Sequence, residues 1–339
     1  MKKVFTRRQF LTGTGALAGA AVLAPGIVRA ARPITIKLGL DVPATHLTSI
    51  NATEAAARIG ENTKGRVKVQ VFPGNQLGND TNMLSEVRSG AIQMMCAADN
   101  ILASLVPSAS INNIGFIFKD IETAWKALDG KVGAVVTANI EKFGLHPMRR
   151  IWDIGFREIT TSTKPIHTPA DLAGFKIRVP PSPISVSLFK ALGAAPTSLN
   201  FAELYTALQT KVVDGQENPL GLIEAQKLYQ VQKFCSLTNH MWAGFWMVFN
   251  GKFWRGMSDT DRKIVEDAFN EQALKQRAAN NTLNTSLQGS LTKRGLTFNS
   301  TDPREFQAAL IKSGFYAEWQ KKFGSELWSE LEAYTGKLA

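Results

Sequence analysis

The stretch 258–294 constrains the fold of this chain more than any other part of its sequence. It opens with Ser-Asp-Thr-Asp, a cluster suited to capping a helix N-terminus, and has neither proline nor glycine before Gly289. Apolar residues such as Ile264 and Ala268 recur at helical spacing. About 30 helical residues would measure about 45 Å. Because this exceeds one small domain, we expect a helix that runs across two. Two shorter helices with a break near Asn280 and Asn281 are the alternative.

The first part of the chain, before residue 100, alternates between strand and helix signals. Apolar and polar residues alternate in the strand segments, whereas the helix segments carry apolar residues three and four positions apart. This order predicts an α/β fold with a largely parallel sheet. The predicted strands are 34–40, 67–72 and 92–97, and the predicted helices are 45–63 and 79–89.

The middle of the chain repeats this alternation, which predicts a second α/β unit. Asp214 to Asn218 contains two acids, but the glycine between them indicates a tight turn and not an acid/base pair. The predicted strands are 146–152, 156–161, 176–179 and 213–215, and the predicted helices are 121–128, 132–143, 185–192 and 201–210.

Residues 1–30 resemble an export leader. Thr6-Arg7-Arg8-Gln9-Phe10-Leu11 is similar to the twin-arginine signal, and an Ala- and Gly-rich stretch leads to a small-x-small cleavage site at Val28-Arg29-Ala30. We therefore expect a twin-arginine signal peptide and a periplasmic protein. The alternative is an uncleaved anchor, which Pro25-Gly26 argues against.

The charge pattern excludes some partners. The formal net charge is +11, and the leader carries five of these charges, which leaves 11 − 5 = +6. The remaining Lys and Arg residues are scattered, so we expect no nucleic-acid partner. A chain of this size needs no disulfide, and we predict that Cys96 and Cys235 are buried free thiols.

The sequence carries none of the common enzyme or cofactor motifs. It has no Gly-x-Ser-x-Gly elbow, no phosphate loop and no His-Glu-x-x-His. The four histidines have no second metal ligand at helical spacing. We therefore predict no catalytic residues, no metal and no cofactor.

Four motifs in fixed order resemble one family. They are Gly155-Phe156-Arg157, the segment 174–180 (GFKIRVP), the segment 201–210 (FAELYTALQT) and the segment 213–219 (VDGQENP). Together they resemble the extracytoplasmic solute-binding subunit of TRAP transporters, the DctP-type family, over essentially the whole mature chain. The resemblance implies a fold like that of periplasmic binding proteins, with two α/β lobes joined by crossing strands and a long helix that spans both lobes. The implied lobes are 31–153 with 243–282, and 154–242 with 283–339.

The resemblance also implies a carboxylate site. Arg178 would form a paired contact with the ligand carboxylate, Arg157 would assist it, and Asn218 would lie beside it. A planar guanidinium matches two carboxylate oxygens in a way that lysine does not. The alternatives are an ordinary ion pair between Arg157 and Glu158 and a structural turn role for Asn218.

Further pocket residues are predicted from their positions at strand ends. We select His46, Asp99 and Trp242 from a wider set of candidates. Aromatic residues would suit a bulky apolar acid, although packing in the core is the competing role for each of them. The wider set is Asp41, Asn100, Trp152, Asp153, Pro181, Ser182 and 241–246.

The predicted function is transport without catalysis. We expect a monomer that binds a small organic monocarboxylate, such as an aromatic acid or a sugar acid, and delivers it to the membrane subunits of a TRAP transporter. The alternatives are a C4-dicarboxylate cargo and a ligand-sensing role beside a signalling receptor.

Overall fold

Eleven strands form one mixed sheet in the computed structural model, which describes residues 33–338. The predicted leader, 1–30, lies outside the described residues. The strands are β1 (Ile34–Gly39), β2 (Val67–Phe72), β3 (Met94–Ala98), β4 (Leu145–Pro147), β5 (Trp152–Thr161), β6 (Lys176–Val179), β7 (Ala195–Ser198), β8 (Gly215–Pro219), β9 (Phe234–Leu237), β10 (Trp242–Asn250) and β11 (Thr297–Ser300).

Thirteen α-helices flank the sheet within the described range, and none of them is both long and apolar enough to cross a bilayer. Short 3-10 turns lie at Pro107–Asn113, Pro169–Leu172, Phe201–Glu203 and Leu228–Gln230. The helices are α1 (Leu47–Asn62), α2 (Asp80–Ser89), α3 (Asp99–Leu102), α4 (Ile121–Asp129), α5 (Lys131–Lys142), α6 (Pro183–Ala191), α7 (Leu204–Gln209), α8 (Leu220–Ala225), α9 (Gly251–Gly256), α10 (Asp259–Lys293), α11 (Pro303–Lys312), α12 (Phe315–Phe323) and α13 (Ser325–Thr335).

The sheet has two halves, each built from parallel strands. In the first half β1 pairs with β2 and β3 in parallel, and in the second half β6 pairs with β7 and β8 in parallel. This confirms the α/β class. The long strands β5 and β10 run antiparallel to each other and join the halves, giving the order β2-β1-β3-β10-β5-β8-β6-β7.

Strand β10 is buried along its whole length. Trp246 and Val248 belong to one apolar cluster, and Met247 and Phe249 belong to another. Because successive side chains point to opposite faces of a strand, the two faces of β10 serve two separate cores.

The β5–β10 pair contains an irregularity next to a glycine. The register shifts between Ala243 and Gly244, opposite Gly155. Gly155 has φ +105°, a left-handed conformation that favours glycine, and a Cβ there would lie 3.3 Å from the side-chain nitrogen of Asn284. The glycine thus lets β5 bend beneath the long helix α10.

Helix α10 is continuous over 35 residues, which confirms the predicted long helix, and a break at Asn280 and Asn281 was wrong. Its N-cap is Ser258, whose hydroxyl accepts a hydrogen bond from the backbone N–H of Asp261. The helix contacts α1 in the first half of the molecule and α8 and β11 in the second. It therefore spans both lobes.

Two local predictions in the middle of the chain were wrong. Residues 146–152 do not form one strand, because β4 ends at Pro147 and β5 runs unbroken from Trp152 to Thr161. Residues 215–218, predicted as a tight turn, belong to β8, which is buried throughout. The predicted buried free thiols, Cys96 and Cys235, are confirmed.

Candidate functional site

A small cavity lies at the carboxyl ends of β1, β3, β6 and β8. Ligands of open α/β sheets bind at this edge, where strand order reverses and loops diverge. Both halves of the sheet contribute to its walls. The lining residues are Asp41, Asp80, Ala98, Asn100, Ile101, Ile154, Arg157, Arg178, Pro180, Phe201, Asn218, Leu222 and Phe245.

Arg178, on β6, forms no direct ion pair with any of residues 33–338. Its side chain is 1% exposed, and its Nε and Nη2 atoms both donate to the carbonyl oxygen of Leu199, at 2.9 and 2.6 Å. Among residues 33–338, no carboxylate oxygen lies within 4.0 Å of the guanidinium, and Nη1 donates no hydrogen bond. Burial lowers the pKa of Arg178 to about 10, so it stays charged at neutral pH.

Arg157, on β5, has its own counterion. It forms a buried ion pair with Glu217, and its Nη2 donates to Glu217 Oε1 at 2.9 Å. His240 Nε2 lies 3.1 Å from the same carboxylate. Burial raises the pKa of Glu217, but the Arg157 charge and the hydrogen bonds outweigh it and hold the pKa at about 2. Arg157 does form an ion pair, as the alternative predicted, but its partner is Glu217 and not Glu158.

Asn218, on β8, orients Arg157. Its side-chain oxygen accepts from Arg157 Nη2 at 3.1 Å, and its amide nitrogen donates to Gln216 Oε1 at 2.6 Å. Gln216 in turn donates to Thr160 Oγ1 at 2.8 Å. The structure thus brings together Arg178, Arg157 and Asn218 in one cavity, and Asn218 lies in a strand and not in a turn.

The first half of the sheet adds an acidic wall. Asp41, after β1, and Asp80, at the start of α2, lie within hydrogen-bonding range of each other. Burial and the neighbouring carboxyl raise the pKa of Asp41, and burial also raises the pKa of Asp80. Asp80 additionally faces the Arg178 charge and the backbone N–H of Phe201, both of which favour its ionised form. Simultaneous ionisation of both carboxyls is therefore unfavourable.

His46 lies elsewhere. Its Nδ1 accepts from the backbone N–H of Thr48 at 3.2 Å and so caps α1. It lines a separate surface cavity beside Gly221. Burial lowers the pKa of His46 to about 4, so the ring is neutral at pH 7.

Asp99 and Trp242 do not line the cavity either. Asp99 Oδ2 accepts from the side chains of Asn112 and Asn113, at 2.5 and 3.1 Å, and from the backbone N–H of Gly244 at 2.8 Å. Trp242 donates its indole N–H to Asp153 Oδ1 at 2.7 Å. All of these contacts lie within the protein and connect β10 to its neighbours.

Sequence reasoning missed several wall residues. Asp80 reads as an ordinary acid in the first turn of a helix, and Phe201 as an apolar position of the predicted helix 201–210. Asp41, Asn100 and Phe245 were among the wider candidates, and the signal for the first two was their position after a strand. Within residues 33–338, no three His, Cys, Asp or Glu side chains are grouped to hold a metal ion.

The chain is similar in sequence to known proteins. Residues 38–321 match the profile of bacterial extracellular solute-binding protein, family 7. The 2,3-diketo-L-gulonate-binding periplasmic protein of Escherichia coli is 37% identical over 243 residues, which cover 72% of this chain and 74% of that protein.

Two solved structures of TRAP periplasmic solute-binding proteins are similar over nearly their whole length. The protein of Polaromonas sp. with bound D-erythronate has a TM-score of 0.85 and 31% identity, covering 90% of this chain and 99% of its own. The protein of Sulfurospirillum deleyianum with bound succinate has a TM-score of 0.84 and 30% identity, covering 89% and 99%.

Proposed function

Because the chain belongs to family 7 of the bacterial extracellular solute-binding proteins, we propose that it captures a small organic monocarboxylate and delivers it to the membrane subunits of a TRAP transporter. The observation that carries this proposal is Arg178, a buried guanidinium without a carboxylate partner among residues 33–338. A buried charge without a partner is costly, and a bound anion removes that cost.

The proposed contacts follow from the free donors. Arg178 offers the edge that carries Nη1, since Leu199 occupies the other edge. Arg157 keeps Nη1 for the ligand, because Glu217 and Asn218 engage its other nitrogens. Two guanidinium groups at one carboxylate give a charge-assisted fork. Asn218 acts as a positioning residue that holds Arg157.

Hinge closure is the proposed mechanism. The proposed lobes are 31–153 with 243–282, and 154–242 with 283–339, and the crossing strands β5 and β10 connect them. Asp41 and Asn100 belong to the first lobe, whereas Arg178 and Asn218 belong to the second. A ligand that touches both sets binds the closed state more tightly and shifts the population toward it.

The names of the relatives support a carboxylate ligand and a periplasmic location. The names of the three proteins above give 2,3-diketo-L-gulonate, D-erythronate and succinate as their ligands, and all three are carboxylates. Those proteins are periplasmic binding proteins by name. We propose that this chain is exported through a twin-arginine leader, acts in the periplasm as a monomer, and binds its cargo without catalysis.

Thermal denaturation of the purified protein with a panel of small organic acids, each paired with its primary amide, tests the proposal. A ligand at 100 times its Kd stabilises the folded state by about 2.7 kcal/mol. Acids should raise the melting temperature, whereas their amides should not, because a neutral amide leaves Arg178 uncompensated. The proposal is wrong if no acid stabilises the protein or if amides do so equally.

A further inference from the structure

The cavity wall formed by the β1, α2 and α3 segments carries unused hydrogen-bond acceptors. Asp41 and Asn100 are 5% and 2% exposed. The Oδ1 atom of each is buried and accepts no hydrogen bond from residues 33–338. A buried acceptor without a donor costs about 1–3 kcal/mol. Asn112 and Asn113 also have unpartnered side-chain oxygens, but they do not line the cavity.

The acceptors on this wall belong to a carboxyl group and an amide. Burial and the neighbouring Asp80 carboxyl raise the pKa of Asp41, which favours its neutral form, and Asp41 Oδ1 receives no hydrogen bond from residues 33–338. Asn100 Oδ1 is an amide oxygen and can only accept a hydrogen bond.

This wall distinguishes three kinds of ligand group. A hydroxyl group can donate to these buried acceptors. A second carboxylate has no proton to donate at neutral pH and would lie beside the acidic pair Asp41 and Asp80. An ammonium group would lie close to two guanidinium groups, Arg157 and Arg178, whose positive charge repels it.

We infer that Asp41 and Asn100 bind hydroxyl groups of the cargo, so that the cargo is a hydroxylated monocarboxylate and not a dicarboxylate or an amino acid. The inference rests on the proposed function, because the carboxylate of the same ligand occupies the arginine side of the cavity. It assigns the two sides of the cavity to two different parts of one molecule. The arginines bind any carboxylate, and the acceptor wall selects among them.

Isothermal titration calorimetry with ligands of equal chain length tests this inference. The four-carbon set is butyrate, erythronate, succinate and 4-aminobutyrate, and the six-carbon set is hexanoate, galactonate and adipate. The hydroxylated acid should bind at least about tenfold more tightly than the others in one set, because a site built for hydroxyls rejects ligands that leave its acceptors unpaired.

The outcomes separate this inference from the proposed function. If the dicarboxylate, the amino acid or the plain acid binds as tightly as the hydroxylated one, the inference is wrong and the proposed function stands. If no acid in either set binds, both are overturned.

A variant sharpens the test. Asn100→Leu removes one acceptor and should weaken the hydroxylated acid about tenfold, the effect of one buried hydrogen bond, while the plain acid keeps its affinity. Glu158→Gln, a change at a buried carboxyl outside the cavity, is the control and should leave both affinities unchanged. Equal losses for the hydroxylated and plain acids in Asn100→Leu would contradict the inference. If that variant does not fold, the ligand sets on the unmodified protein decide.

Discussion

The molecule contains two buried polar regions that differ in how their charges are satisfied. One is the cavity around Arg178. The other, which we call the crossing cluster, surrounds Asp99 and Asp153 where β5 and β10 meet. In the crossing cluster Asp153 accepts from Trp242 at 2.7 Å and from Asn280 at 2.8 Å, and Asp99 accepts from three groups on one oxygen alone.

This difference indicates a structural role for the crossing cluster and a binding role for the cavity. Both carboxylates of the crossing cluster are occupied by protein groups, so a ligand would have to displace them. In the cavity, Arg178 has no carboxylate within 4.0 Å among residues 33–338, and two acceptors are unused. A buried charge that the fold itself satisfies stabilises the fold, whereas one left without a counterion favours an external partner.

The largest effect is expected for Arg178. Arg178→Ala should weaken acid binding about 1,000-fold, because truncating one partner of a buried charge pair costs about 2–5 kcal/mol or more. Arg178→Lys should restore little of it, because an ammonium lacks the fork. Calorimetry measures both. Arg66→Ala, at an exposed arginine that pairs with Asp261 outside the cavity, is the matched control and should bind normally. An affinity for Arg178→Ala within threefold of the original would remove the proposed role.

Asp99 should respond in the opposite way. Asp99→Ala leaves two asparagine side chains and the N–H of Gly244 without their acceptor, and should lower the free energy of unfolding by about 3 kcal/mol. Denaturant unfolding measures this loss. Acid affinity, titrated well below the melting temperature, should stay within threefold. Loss of affinity at unchanged stability would make Asp99 a ligand-binding residue, as the sequence analysis predicted.

The smallest effect concerns Glu158, which accepts a hydrogen bond from the backbone N–H of Asn239 at 2.9 Å. Burial raises the pKa of Glu158 from 4.5 to about 7. A raised carboxyl pKa means that the folded state favours the proton. This contribution is fully present below pH 4.5 and is lost as the pH rises through about 7.

Glu158→Gln removes that ionisation. The variant should exceed the original protein in stability at pH 8 by about 1 kcal/mol, a discounted part of the linkage expected for such a pKa. The advantage should disappear at pH 5, where the original carboxyl is protonated. Urea unfolding at the two pH values measures the difference, and an advantage that is equal at both would show that Glu158 does not titrate as described.

The elements with a regular apolar pattern or a clear helix cap in their own sequence were predicted correctly. Strands β1 and β2 alternate apolar and polar residues, and α10 has a capped start and a long run without proline. Strand β8 was missed because its residues, Gly-Gln-Glu-Asn-Pro, have no apolar alternation. It is a strand because β5 and β6 pair with it on either side. Such long-range pairing leaves no signal in a short segment.

The sequence also predicted only part of the site. The arginines and Asn218 lie in recognisable motifs, and the cavity does contain them. Position after a strand correctly indicated an edge of the sheet, but it did not distinguish Asp99, which turns into the crossing cluster, from Asn100, which lines the cavity. Neighbouring residues at the start of a helix point in directions that only the packing determines.

The two cysteines make it possible to follow each half of the sheet separately. Cys96 lies on β3 and Cys235 on β9, and burial raises the pKa of both thiols well above the usual range. The thiolate is the form that attacks an alkylating reagent, so each residue reacts only when its surroundings open to solvent. The labelling rates of the unmodified chain would therefore report local opening in each half of the sheet independently, and cargo that closes the proposed hinge would slow both.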